Sequence, residues 1–173
     1  MKPSERPRIE ITPTRLDKVL DALSTAGVLL TIAYLFAVWD KLPARIPTHF
    51  GVSGAPNQWG QRSTLLLFII VPLVMHIGLT ILSRMPWVYN YPTKVTEENY
   101  ERLYLAGRGM ILWLRTEVVW LFVVLGVQTV RVALGEVKTL GPILAIAPLV
   151  VIYGTVIYYI VMMYRARRPP LSP

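Results

Sequence analysis

The sequence predicts an all-α protein: a four-transmembrane-helix bundle, both termini cytoplasmic, with a structured extracytoplasmic loop between helices 1 and 2. Three observations predict it. The 173-residue chain is 54% hydrophobic and 16% charged, with a mean hydropathy of +0.48. A soluble domain is nearer a quarter charged, and amphipathic patterning disperses its apolar residues. Here they fall in blocks, over 22–39, 64–82, 110–130 and 143–164, each close to the roughly 20 residues that cross a bilayer core. Finally, the net charge of +8 is distributed unevenly. With four spans, Lys2, Arg6, Arg8, Arg15, Lys18, Arg84, Lys94, Arg102, Arg108, Arg165, Arg167 and Arg168 share the side of the termini. Lys41, Arg45, Arg62, Arg131 and Lys138 lie on the other, and Arg115 lies within a span. Positive charge favours the cytoplasm.

The same distribution bounds the partners. No basic face with interleaved aromatics lies outside the apolar blocks, so nucleic acid is not expected. The basic ends suit anionic lipid headgroups, and the expected location is the bacterial cell (inner) membrane. Cysteine is absent, which excludes disulfides, thiol catalysis and thiolate metal sites. A cleavable signal peptide is not expected, because the first apolar block starts late, has full span length and is not followed by a small-residue cleavage site.

Residues 1–14 read as a cytoplasmic tail, Pro-rich and of mixed charge. Thr14 and Asp17 form a variant of the capping box, which satisfies free N–H groups where helix 1 (15–39) begins. Asp17, Lys18 and Asp21 place its first turns at the inner headgroups, and Trp39 suits the outer interface. In the outer loop, 40–62, Leu42-Pro43 and Ile46-Pro47 hold the chain extended. Gly51, Gly54, Pro56-Asn57 and Gly60 are turn formers. A loop this long needs either packing or a role. Ser63 is the expected cap of helix 2 (63–83). Thr96, Glu97 and Glu98 form a favourable start for a long helix 3 (96–134), because acidic groups suit the positive end of the helix dipole. Pro142 fits the first turn of helix 4 (142–164), and Pro148 is expected to kink it. Residues 165–173 form a basic cytoplasmic tail.

The residues Leu42-Pro43, Ile46-Pro47-Thr48-His49-Phe50, Gly54, Pro56 and Trp59-Gly60 form a motif. It resembles the signature loop of a small bacterial membrane family of unknown function, whose domain is also the N-terminal part of the SdpI-like immunity proteins. Asn90-Tyr91-Pro92 and Thr96-Glu97-Glu98-Asn99 look like that family's second motif, so the resemblance covers about residues 10–130. It implies a helical membrane domain, and immunity to a secreted toxin as a family role. The chain departs from the pattern at Asn57, where Asp is usual, at Gly51, where Asn is usual, and at Arg62, where Lys is common. Only helix 4 stands where SdpI-type proteins carry additional C-terminal helices.

Two groups of residues are candidate sites. In the loop, Pro43, Pro47, Thr48, His49, Phe50, Gly54, Pro56, Asn57 and Trp59 bind a partner or structure the loop. The structural reading has Thr48, His49 and Asn57 bonding loop backbone while Phe50 and Trp59 pack on the mouth of the bundle. A catalytic zinc wants about three protein ligands, and this loop offers His49 and Asp40, so neither metal nor cofactor is expected. Inside the spans stand His76, Arg115 and Glu117, and ionisable groups at that depth mark pathways or paired interiors. Arg115 and Glu117 point to different faces of helix 3. Each has a separate partner, or Arg115 snorkels to the inner headgroups. A meeting of His76 with Glu117 in a crevice would relay protons or bind a cation.

No nucleophile elbow, phosphate loop or HExxH motif occurs, so an enzyme is not expected. The expected function is a non-enzymatic accessory or immunity-type membrane protein. It binds another membrane protein or a secreted peptide through loop 40–62. The alternative is a small proton- or cation-coupled transporter or channel using His76 and Glu117. A homo-oligomer is compatible with the chain, and no GxxxG motif decides the matter.

Overall fold

A computed structural model describes residues 1–167; of the expected basic tail 165–173, residues 168–173 lie outside the described residues. Four helices carry the fold: α1 (Arg15–Val38), α2 (Leu67–Ser83), α3 (Tyr100–Ala133) and α4 (Pro142–Ala166). All four are long and apolar enough to cross a membrane. On α2 and α4 the apolar side chains point outward. Ile70, Val74, Ile77 and Ile81 of α2 and Ile146, Val150, Tyr153 and Ile157 of α4 are each at least half exposed. Soluble monomers rarely expose patches of this extent. The chain is built as a helical multi-pass membrane protein.

At 34 residues α3 is about 50 Å long by the helical rise, and it forms the axis of the bundle. α1, α2 and α4 all pack on it, and α4 packs chiefly there. The α1–α3 seam is made by one stripe of α1, Leu20, Ser24, Gly27, Val28, Thr31 and Leu35, all buried. Small residues let the backbones approach, as packing between membrane helices requires. A Cβ on Gly27 would stand 2.6 Å from Val119 Cγ1.

The all-α expectation needs a correction. Between α1 and α2 the chain forms an antiparallel hairpin of β1 (Arg45–Phe50) and β2 (Pro56–Gln61). The prolines that forbid helix also favour extended backbone, and the turn formers at 51–54 reverse it. A 3-10 turn over Arg62–Leu66 then leads into α2. Ser63 does not cap that helix; its hydroxyl faces Gln61 Oε1 at 3.5 Å.

α3 begins at Tyr100, later than the expected 96. Asn99 holds the preceding turn closed, its Oδ1 accepting from Thr96 N at 2.9 Å and its Nδ2 donating to Lys94 O at 3.0 Å. The capping box of α1 is as expected, with Thr14 Oγ1 accepting from Asp17 N at 3.1 Å and Asp17 Oδ2 from Thr14 N at 3.0 Å. α4 runs unbroken through Pro148.

Two buried clusters close the ends. Leu35, Leu42, Ile46, Leu65 and Val130 lie under the hairpin. At the opposite end, called the terminal end below, Val95, Leu103, Tyr104 and Met163 pack with Ile9, Ile11 and Trp87. The N-terminal segment is therefore docked rather than a free tail. Arg6 donates to Trp87 O at 3.1 Å and Tyr89 O at 2.6 Å, Tyr104 Oη donates to Pro7 O at 3.2 Å, and Arg108 donates to Ile11 O at 3.3 Å.

Candidate functional site

The hairpin is anchored on one side and open on the other. Ile46 and Pro47 are buried against the helical end. Arg62 stacks over the Trp39 ring at 5.2 Å, joining the base of the hairpin to the end of α1. At the tip, Gly54 holds φ +75°, which strains any residue with a Cβ. Its carbonyl accepts from Leu140 N at 2.9 Å, which ties the tip to the connection between α3 and α4. Both ends of the hairpin are thus fixed to the bundle.

Its chemistry faces out. His49 and Asn57 meet across the strands, Nδ1 to Oδ1 at 2.6 Å, side chain to side chain rather than to loop backbone. Thr48 covers Gly60, where an added Cβ would lie 2.7 Å from Thr48 Cγ2. Arg45 donates to Trp59 O at 3.0 Å. Pro43 is exposed and Pro56 and Phe50 are half-buried. Trp59 is 48% exposed, and Val52 at the tip is wholly exposed. Trp59 pairs with the buried Pro47, next to the irregular register between Pro47 and Phe50, and β2 is exposed over most of its length.

The intramembrane residues sort differently from the expectation. Arg115 does not snorkel; it is completely buried at the junction of three helices. It donates to Asp21 Oδ1 of α1 at 2.5 Å and to Thr80 Oγ1 of α2 at 2.8 Å, and Thr80 in turn donates to His76 O at 2.6 Å. Glu117 faces the other way and accepts from Thr155 of α4 at 2.5 Å. The structure brings Arg115 close to the His76 turn and leaves Glu117 apart from it. His76 Nδ1 and Glu117 Oε2 are buried without hydrogen-bond partners among the described residues. Asp21 is the residue that sequence reasoning placed at the headgroups and missed as a partner. No spacing in the sequence signals that partner; the same pair of helices also joins Asp17 to Arg108 at 3.1 Å.

This geometry defines a helical membrane protein with a fixed hairpin at one end and a charged junction inside. Residues 26–75, which span the second half of α1, the hairpin and the first half of α2, match a family model described as a Domain of unknown function (DUF1648). The chain is also 30% identical to an uncharacterized protein of Archaeoglobus fulgidus, over 58% of this chain and 63% of that protein. The match thus covers less than two thirds of that relative's length. No solved structure matches the chain.

Proposed function

We propose that the chain is a non-enzymatic membrane accessory protein that presents its hairpin to a partner, either a subunit of a larger membrane complex or a secreted peptide. The observation that carries this reading is Trp59, a large aromatic left half exposed on a strand whose two ends are fixed. Exposed tryptophans on rigid elements make effective binding anchors. β2 is also an edge strand, so an extended peptide can add to it through main-chain hydrogen bonds. The resemblance of the loop motif to SdpI-like immunity proteins supports the peptide version. In the same reading the terminal end, with its excess of Lys and Arg, faces the cytoplasm and the hairpin faces outward, across the cell membrane.

A photo-crosslinking residue in place of Trp59, expressed in native membranes, tests this. It is expected to trap one discrete adduct that an equivalent residue at lipid-facing Tyr153 does not. Identical patterns from the two positions would end the proposal.

One observation favours a second reading. His76 Nδ1 and Glu117 Oε2 lack partners at membrane depth, where an unpaired polar group costs several kcal/mol, on the order of 2–7, and points to transport of protons or cations. Glu117→Gln separates the two readings. A transporter loses its flux in proteoliposomes, whereas an accessory protein keeps its Trp59 adduct unchanged.

A further inference from the structure

We propose that the open cavity at the terminal end binds a phosphate-bearing anion at the membrane surface. The cavity, about 560 Å³, lies between the docked N-terminal segment, the start of α1, the end of α2 and the first half of α3. Arg8, Arg84 and Arg108 border it, together with Asp21, Thr80 and Trp87.

The cations on its wall differ in their commitments. Arg108 is held by Asp17 and by Ile11 O. Arg8 and Arg84 have neither a hydrogen-bond nor an ion-pair partner for their side chains among the described residues, and both are exposed. The acids nearby are mostly accounted for. Asp21 is neutralised by Arg115 and Asp17 by Arg108. Glu10, also on the wall, is the remaining carboxylate, set against two free guanidiniums. The uncommitted charge is positive.

Arg8 is not on a loose tail. The Arg6 and Tyr104 bonds fix the backbone just before it, and the Arg108 bond to Ile11 fixes it just after. Two arginines thus border one concavity, one on the N-terminal segment and one just past the end of α2. Guanidinium forks match phosphate oxygens bidentately. The height is also right: α2 ends at Ser83, one residue before Arg84, and Trp87 follows at the level where aromatics meet headgroups. Basic pockets between helices at this level take phospholipid headgroups. The ligand is a phosphodiester or phosphate group, from a lipid or from solution.

Native mass spectrometry of the full chain in neutral detergent tests the site, titrated in parallel with phosphatidylglycerol and phosphatidylcholine. The wild type is expected to retain one phosphatidylglycerol in preference to phosphatidylcholine, and Arg8→Ala/Arg84→Ala to bind it about tenfold more weakly (about 1.4 kcal/mol). Arg8→Lys/Arg84→Lys is expected to fall between them. Inorganic phosphate distinguishes the sources: if it raises the melting temperature of the wild type and not of the alanine variant, while lipid shows no preference, the ligand is soluble phosphate. Equal lipid retention by wild type and alanine variant, with no phosphate effect, means annular lipid only and overturns the site. Both arginines are exposed and unpaired, so the double variant should fold; if it aggregates, the two single alanine variants are read instead by the same criteria.

Discussion

Arg115 shows how a single charge organises this protein. A buried guanidinium is tolerated only with partners, and here each partner comes from a different helix: Asp21 from α1 and Thr80 from α2. Asp21→Asn is therefore expected to lower stability by about 2 kcal/mol, the scale of a charge-assisted hydrogen bond, read as a drop in melting temperature in detergent. The half-exposed carboxylate keeps the figure below that of a fully buried pair. Adding Arg115→Met to Asp21→Asn removes the stranded charge and is expected to recover part of the loss. If the double variant is less stable than the single, the junction is not an ion pair held for structure. A sequence shows that Arg115 sits within a span. It does not show Asp21, because the pair is separated by 94 positions and Asp21 reads equally well as a headgroup residue.

Among the elements, the segment between α2 and α3 most changes the reading of its neighbours. Tyr89 and Tyr91 donate to Leu82 O and Pro86 O, both at 2.8 Å, and fold this connection back on the end of α2. Tyr91 stacks on Tyr104 with ring centroids 5.9 Å apart, and Arg6 lies over its outer face at 5.5 Å. Burial pushes both phenols well above the ordinary tyrosine value, and for Tyr91 its neighbours Tyr89 and Tyr104 add to the rise. The neutral phenol is thus the form the fold prefers. Its contribution is complete below the ordinary value of about 10 and is lost as pH rises from there toward the folded-state value. Melting temperature is expected to hold to about pH 10 and fall beyond it. Tyr91→Phe should begin about 1 kcal/mol less stable, through the lost hydrogen bond, and show a shallower alkaline decline. An equally steep decline in the variant would remove Tyr91 from the account. The N-terminal segment owes its order to this same cluster, since Arg6 bonds the carbonyls of Trp87 and Tyr89.

For the molecule as a whole, the orientation in the membrane is the property to measure first. The chain contains no cysteine, so a single one placed by Val52→Cys, at the fully exposed hairpin tip, reports its side without background. An impermeant maleimide is expected to label it in intact cells, and to label Lys94→Cys only after lysis. The reverse result would invert the proposed topology and put the hairpin in the cytoplasm.

The four helices were legible in the chain because a span needs only length and apolarity, properties summed over about 20 consecutive residues. The cap at Thr14 was legible for a similar reason, since its partners are three residues apart. Local turn chemistry also marked the backbone before the prolines at 43 and 47 as extended, where a small two-stranded sheet stands. Pairing was another matter. Whether 45–61 closes into a hairpin, and which side of it Trp59 faces, depends on strand register, and a shift of one residue exchanges the faces. The docking of residues 6–11, the three-helix junction at Arg115 and the separation of Glu117 from His76 depend on contacts between residues about 35 to 97 positions apart. Such contacts leave no periodic trace in a sequence, because the packing of α1, α2 and α4 around α3 sets which polar faces meet.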